Sequence, residues 1–109
     1  MKLLIAIVQD KDTSRLTDVL GEEDFKLTKL ATTGGFLKEG NTTLMIGTDD
    51  DYVDRALEIF RDNCSKREQM VAPISPMGGN ADSYIPQPVK VEVGGATVFI
   101  MPMEQYYKF

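Results

Sequence analysis

The chain has 109 residues, of which 42% are hydrophobic and 27% charged, and this size and balance predict one globular domain. Seventeen acidic residues against twelve basic ones give a net charge of -5, which disfavours DNA or RNA as a partner because non-specific nucleic-acid binding needs clustered lysine and arginine. There is no histidine, and Cys64 is the one cysteine. This composition excludes Ser-His and Cys-His catalytic pairs, histidine-containing zinc sites and an internal disulfide.

The apolar run at residues 3–8 predicts the first strand. It lacks period-two alternation, which is typical of a strand covered on both faces. It is far shorter than the ~20 residues that span a bilayer, and no small-residue cleavage site follows it. We therefore expect a cytoplasmic protein with no membrane partner.

Further elements follow at helical and strand spacing. Residues 12–20 are predicted to form a helix, residues 25–33 a strand and residues 42–48 a third strand. A second helix is predicted to run to about Cys64. The three acids at 49–51 precede it, and we interpret them as capping residues in preference to a metal site because no ordered ligand spacing follows them.

The region from residue 65 to residue 88 interrupts this rhythm with four of the five prolines. A short strand is possible at 68–71. Residues 73–86 are a second candidate segment, whose glycines, hydroxyls and amide could bind an anion and whose prolines suit a surface presented to a partner; the alternative is a plain surface connector. Residues 89–93 alternate like a half-buried strand. The Gly-Gly pair that follows, and the apolar residues 96–101, predict a C-terminal β-hairpin.

The element order β-α-β-β-α-β predicts an α+β, ferredoxin-like fold with both helices on one face of the sheet. The other face would then be bare, although the first strand is apolar on both sides. A bare apolar face in water implies a partner, and a second copy of the same chain is the simplest one.

The loop at about 34–41, with its flanking residues, is the strongest candidate for a ligand site. Its glycine amides, threonine hydroxyls and Asn41 are suitable phosphate donors, and Phe36 could stack on a base. The alternative is an ordinary hairpin loop whose Phe36 packs on the core. Positive charge close to this loop comes from Lys26, Lys29 and Lys38.

Six stretches of the sequence carry a resemblance to a known family. They are AIVQD at 6–10, KLATTGGFL at 29–37, GNTT at 40–43, REQ at 67–69, PMGG at 76–79 and VEVGGATVF at 91–99. With these motifs the chain resembles, from end to end, the PII-like cyclic-di-AMP receptor proteins. The resemblance implies a homotrimer of ferredoxin-like subunits with inward-facing sheets and a long loop before the hairpin. It also implies three ligand sites between subunits, no catalysis, no cofactor beyond the cyclic-di-AMP ligand, and an unidentified protein target.

The resemblance also implies roles for individual residues. Phe36 would stack on an adenine, Asn41 would hydrogen-bond, and Lys26 with Thr28 would meet the phosphates. The full set of ligand positions falls on Lys26, Thr28, Gly35, Phe36, Leu37, Asn41 and Gly47.

Three positions depart from the family pattern. The family often has arginine where this chain has Lys26, asparagine where it has Asp24, and glutamine where it has Lys108. A lysine is a point charge without the bidentate fork of arginine, and a carboxylate at Asp24 would repel phosphate unless it turns away. Lys108 either supplies replacement charge or falls outside the site.

Other functions on the same scaffold stay open at this point. One is an ATP-sensing PII-type regulator, and another is a trimeric ion-tolerance protein. The ion-tolerance protein would require metal ligands, and a chain without histidine has few of them. The short loop at 34–41 disfavours an ammonium-transporter target, because PII nitrogen regulators have a long loop there. An enzyme working through carboxylates or Cys64 is the least favoured, since no nucleophile with a partnering base can be named.

Overall fold

The computed structural model describes residues 1–32, 40–71 and 88–109. Two α-helices and six strands are formed in these ranges, and each predicted helix and strand is present with slightly shifted ends. In chain order they are β1 (Lys2–Gln9), α1 (Asp10–Glu22), β2 (Leu27–Thr32), β3 (Asn41–Thr48), a 3-10 turn (Asp50–Tyr52), α2 (Val53–Cys64), β4 (Arg67–Val71), β5 (Val89–Val93) and β6 (Ala96–Pro102).

Four of the strands form an antiparallel sheet in the order β2-β3-β1-β6. The central strand β1 pairs along its length with β3 on one side and with β6 on the other. The remaining strands, β4 and β5, form a separate antiparallel pair. This mixed α+β arrangement is compatible with a ferredoxin-like fold.

The hydrophobic core lies between one face of the four-stranded sheet and the two helices. Alternate residues of a strand point to the same face, and on β1 the even-numbered residues Leu4, Ala6 and Val8 are fully buried. They pack with apolar residues of β3, α1 and α2, namely Leu44, Ile46, Leu16, Leu20, Ala56, Ile59, Phe60 and Cys64. The i, i+3, i+4 spacing on each helix therefore identifies the residues that enter the core.

The opposite face of this sheet is apolar and has no helix among the described residues packed on it. The strand registers place the odd-numbered side chains of β1 and β6 beside one another there, with those of β3 and the even-numbered ones of β2. Leu30, Phe99 and Met101 are exposed by 42%, 42% and 39%. We call this surface the open face, and its large apolar residues are Leu3, Ile5, Ile7, Leu30, Met45, Phe99 and Met101.

The predicted C-terminal hairpin is wrong. β5 pairs with β4, and β6 pairs with β1 over seven residues in the main sheet, so the two strands belong to different sheets. Gly94 and Gly95 do have positive φ, as a tight turn requires, but their amides bond elsewhere: Gly94 N donates to Gln9 Oε1 and Gly95 N donates to the carbonyl of Cys64. The length of the ladder explains why β6 pairs with β1 and not with β5: the pairing with β1 gives β6 more backbone hydrogen bonds than β5 could offer.

Two other predictions concern the short strand β4 and the start of α2. The short strand inside the 65–88 region is confirmed as β4. The acids before α2 do not cap it through their side chains: the turn begins with a backbone hydrogen bond from Tyr52 N to the Asp49 carbonyl, while the Asp50 carboxylate lies 3.1 Å from the N-terminal amine. Among the described residues, no helix is long and apolar enough to cross a membrane.

Candidate functional site

Lys26 and Gly47 lie together at one end of the open face. Leu27, the first residue of β2, pairs with Ile46, so the residues on either side of this pair are neighbours. Both line a cavity of about 320 Å³ that we call the lysine cavity. Its other lining residues are Met1, Met103, Tyr106 and Lys108. The C-terminal residues after β6 therefore enclose this cavity together with Gly47 of β3 and the residues just before β1 and β2.

Glycine at position 47 keeps the lysine cavity open. A Cβ built on Gly47 would lie 3.3 Å from the Cε of Met103, a distance at which the methionine would have to move. Glycine inside a strand often marks a close approach, and here it is the Met103 side chain that lies close to position 47.

Two ammonium groups at the lysine cavity are available to a ligand. Within residues 1–32, 40–71 and 88–109, neither Lys26 nor Lys108 forms a salt bridge. Lys108 and Lys26 line the same cavity, and two lysines without a salt bridge in these ranges are suited to an anion such as phosphate.

A larger cavity of about 490 Å³ adjoins the lysine cavity and shares Met1, Lys26 and Gly47 with it. Asp24 lies on its wall with φ 63°, a left-handed conformation that aspartate and asparagine tolerate better than most residues. Asp24 therefore shares this cavity with Lys26, and a negative charge in the cavity opposes the positive potential that an anion needs.

Two other charged side chains around the larger cavity, Glu23 and Arg55, are paired with each other. Arg55 donates two hydrogen bonds to Glu23, with 2.6 Å from Nε to Oε1, and this hydrogen bonding lowers the pKa of Glu23. The hydrogen bond from the N-terminal amine likewise lowers the pKa of Asp50. Because Glu23 already pairs with Arg55, Arg55 is a weaker candidate than Lys26 for binding an anion.

Thr28 lies on the open face, two residues beyond Lys26 on β2. It pairs with Met45 and is exposed. Side chains two residues apart point to the same face of a strand, so its hydroxyl and the Lys26 ammonium belong to one surface.

Asn41 lies at the far end of β3. It pairs with Gln9 on β1 and Thr32 on β2 and is buried. Six residues of strand separate it from Gly47, which at about 3.3 Å per residue corresponds to roughly 20 Å. The structure therefore places Asn41 and the Lys26–Gly47 group at opposite ends of the same sheet.

The remaining predicted ligand residues, Gly35, Phe36 and Leu37, lie outside the residues that the structure describes. The same holds for the second candidate segment at 73–86. Sequence reasoning missed Met1, Met103 and Tyr106 as lining residues of the lysine cavity. They are far from Lys26 in the chain, and no spacing pattern connects them to it.

A metal centre and a reactive thiol find no support in the described parts of the chain. Those residues contain no group of three or more acidic, cysteine or histidine side chains able to hold a metal ion. Cys64 is fully buried, and this burial raises its pKa to about 11, so the thiol is a poor nucleophile at neutral pH.

Comparison with known proteins agrees with a ligand-binding role. A crystal structure of a functionally unknown protein from Pediococcus pentosaceus ATCC 25745 is 44% identical and superposes with a TM-score of 0.81, over 99% of this chain and 96% of that one. A family model described as "Cyclic-di-AMP receptor" matches residues 1–109, the whole length of the chain. The chain therefore belongs to the cyclic-di-AMP receptor family.

Proposed function

We propose that this chain is a cytoplasmic signal-transduction receptor that binds cyclic-di-AMP between the subunits of a PII-like homotrimer. Membership of the receptor family over all 109 residues supports the ligand. Binding changes the conformation of the loops and so signals to a protein target. The protein acts by binding, without catalysis and without a further cofactor.

The separation of Asn41 from Lys26 and Gly47 carries the inter-subunit part of this proposal. The two groups lie about 20 Å apart along one strand, at opposite ends of the sheet. One small ligand is too short to contact both ends on a single subunit. The site would be complete if a second subunit placed the end of its sheet that carries Asn41 next to Lys26 and Gly47 of the first subunit.

The open face supplies the surface on which subunits would meet. Leu30, Phe99 and Met101 are exposed on it, and Ile5 lies at its centre. A contiguous apolar face of this kind favours association, and a closed ring of identical subunits covers every copy of it.

The charges of the lysine cavity match the ligand. Cyclic-di-AMP carries two phosphodiesters, and Lys26 and Lys108 are two cations without a salt bridge in the described part of the chain. A local pair of this kind attracts a small dianion even though the whole chain has a net charge of -5.

Isothermal titration with cyclic-di-AMP and with ATP tests the proposed function. We expect saturable binding of cyclic-di-AMP at one molecule per subunit, weakened by roughly tenfold or more in Asn41→Ala and in Phe36→Ala, since each removes a direct contact to a base. No heat with cyclic-di-AMP, together with tight binding of ATP, would instead support the ATP-sensing alternative.

Substituting the two lysines tests the lysine cavity. Lys26→Ala and Lys108→Ala should each weaken cyclic-di-AMP binding by about tenfold, because each removes one charge-assisted contact to phosphate. Lys90→Ala is the matched control, since Lys90 is well exposed on β5, away from the lysine cavity. Equal affinities for the three variants and the parent protein would show that the lysine cavity is not the phosphate site.

A further inference from the structure

The pair of strands β4 and β5, which we call the arm, stands apart from the main sheet. Its side chains are largely exposed, including the apolar Met70, Val89 and Val91. An isolated two-stranded ribbon is at best marginally stable in water. The position of the arm therefore depends on how its base is attached to the rest of the subunit.

Polar contacts attach the base of the arm to the junction of β1 and α1. Arg67 donates hydrogen bonds from its two terminal guanidinium nitrogens to the Asp12 carboxylate, at 2.7 and 3.4 Å. Asp12 is only 2% exposed. Gly94 N donates to Gln9 Oε1 at 2.7 Å, and Lys11 Nζ donates to Gln69 Oε1 at 3.2 Å. A buried carboxylate is costly without a hydrogen-bonded cation, so the ion pair between Asp12 and Arg67 is strongly favoured.

The same junction also holds the start of β3, where Asn41 lies. Asp10 N donates to the Gly40 carbonyl at 3.0 Å, and Thr42 Oγ1 donates to Asp10 Oδ1 at 2.6 Å. The fit is tight, because a Cβ on Gly40 would overlap the Asp10 carboxylate. Residues 9–12 therefore contact both the base of the arm and the start of β3, the strand that carries the expected ligand residue Asn41.

A cavity of about 560 Å³ lies between these two parts of the subunit. Its lining residues are Gln9, Asp10, Lys11, Gly40, Val91, Glu92 and Val93. The arm and the start of β3 thus face each other across open space, and Gln9, Asp10 and Lys11 line the same cavity. This arrangement leaves room for the arm to tilt without repacking a core.

We propose that residues 9–12 are a coupler that transmits a displacement at Gly40–Thr42 to the arm, with Gln9 and Asp12 as positioning residues. The role in signalling rests on the proposed function: a ligand that engages Asn41 shifts its neighbours, Asp10 moves with them, and the contacts of Gln9 and Asp12 carry the shift to Gly94 and Arg67. The arm is then the part of the subunit that presents the bound state to a partner.

Hydrogen–deuterium exchange on the ligand-free protein tests the coupler by itself. Gly40→Ala displaces the Asp10 carboxylate, and we expect about fivefold faster exchange of the amides at 89–95 as the hydrogen bond of Gly94 weakens. Gly21→Ala is the matched control, because a Cβ at Gly21 has no atom within 4 Å. Faster exchange confined to residues near 40, with the arm unchanged, would overturn the proposal.

Adding cyclic-di-AMP separates the coupler from the proposed function. In the parent protein, saturating ligand should change exchange at 89–95, and Gln9→Leu should abolish that change while Gln9→Glu, which keeps an oxygen acceptor for Gly94 N, preserves it. If Gln9→Leu folds poorly, Arg67→Lys serves as the second variant, because lysine cannot form the two parallel hydrogen bonds to Asp12, and it should also abolish the change. Bound ligand with an unresponsive arm would overturn the coupler, whereas absence of binding would overturn the proposed function and leave the Gly40→Ala result to decide the coupler.

Discussion

Ile5→Lys is expected to separate the proposed trimer into single subunits of 12.1 kDa and to abolish binding of cyclic-di-AMP. Ile5 lies at the centre of the open face, between Met45 and Phe99. Burying an unpaired ammonium in each subunit costs several kcal/mol, so affinity should fall by at least about a hundredfold if the ligand bridges subunits. Light scattering after gel filtration gives the mass, and titration gives the affinity.

The control for Ile5→Lys is Ser14→Lys, which introduces the same charge at an exposed position on α1. This variant should keep the mass and the affinity of the parent protein. A monomeric Ile5→Lys that still binds cyclic-di-AMP at the parent affinity would show that one subunit holds the entire site. An Ile5→Lys protein of unchanged mass would show that the open face is not the interface.

Leu44→Ala is expected to lower the free energy of unfolding by about 2–5 kcal/mol, because it leaves a cavity in a fully buried part of the core. Urea unfolding followed by circular dichroism measures the change. The variant and the parent protein must be compared at one protein concentration, since association adds to the apparent stability.

Leu44→Met is the matched control for this core substitution. It conserves most of the side-chain volume and should cost about 1.5 kcal/mol or less. If Leu44→Ala were no more destabilising than Leu44→Met, Leu44 would not lie in a closely packed core.

The sequence predicts the main sheet and the helices well because their signals are local. The apolar run at 3–8 predicts a strand, and the helical spacing of Leu16 and Leu20 predicts the buried side of α1; the structure confirms both. The two-sided apolar character of β1 also predicts the open face. Such patterns need only the neighbours of a residue in the chain, and these are known from the sequence.

The prediction failed where distant residues decide the structure. A Gly-Gly pair between two strands is a strong local hairpin signal. However, β6 pairs with residues of β1 that are 88 to 100 residues away in the chain, and the acceptor on Gln9 is 85 residues from Gly94. The lysine cavity has the same character, since Met1 and Lys108 reach it from the two ends of the chain. The positions of Gly35, Phe36 and Leu37 stay predictions.

Under the proposed function, the roughly 20 Å between Asn41 and Gly47 links the strength of binding to the abundance of the protein itself. A ligand held by two subunits is bound only by assembled protein, so by mass action each bound molecule favours assembly and each dissociated subunit loses its share of the sites. The apparent Kd would then rise on dilution. A cell could shift the threshold of such a receptor by changing how much of it is made, with no change in any residue that touches the ligand.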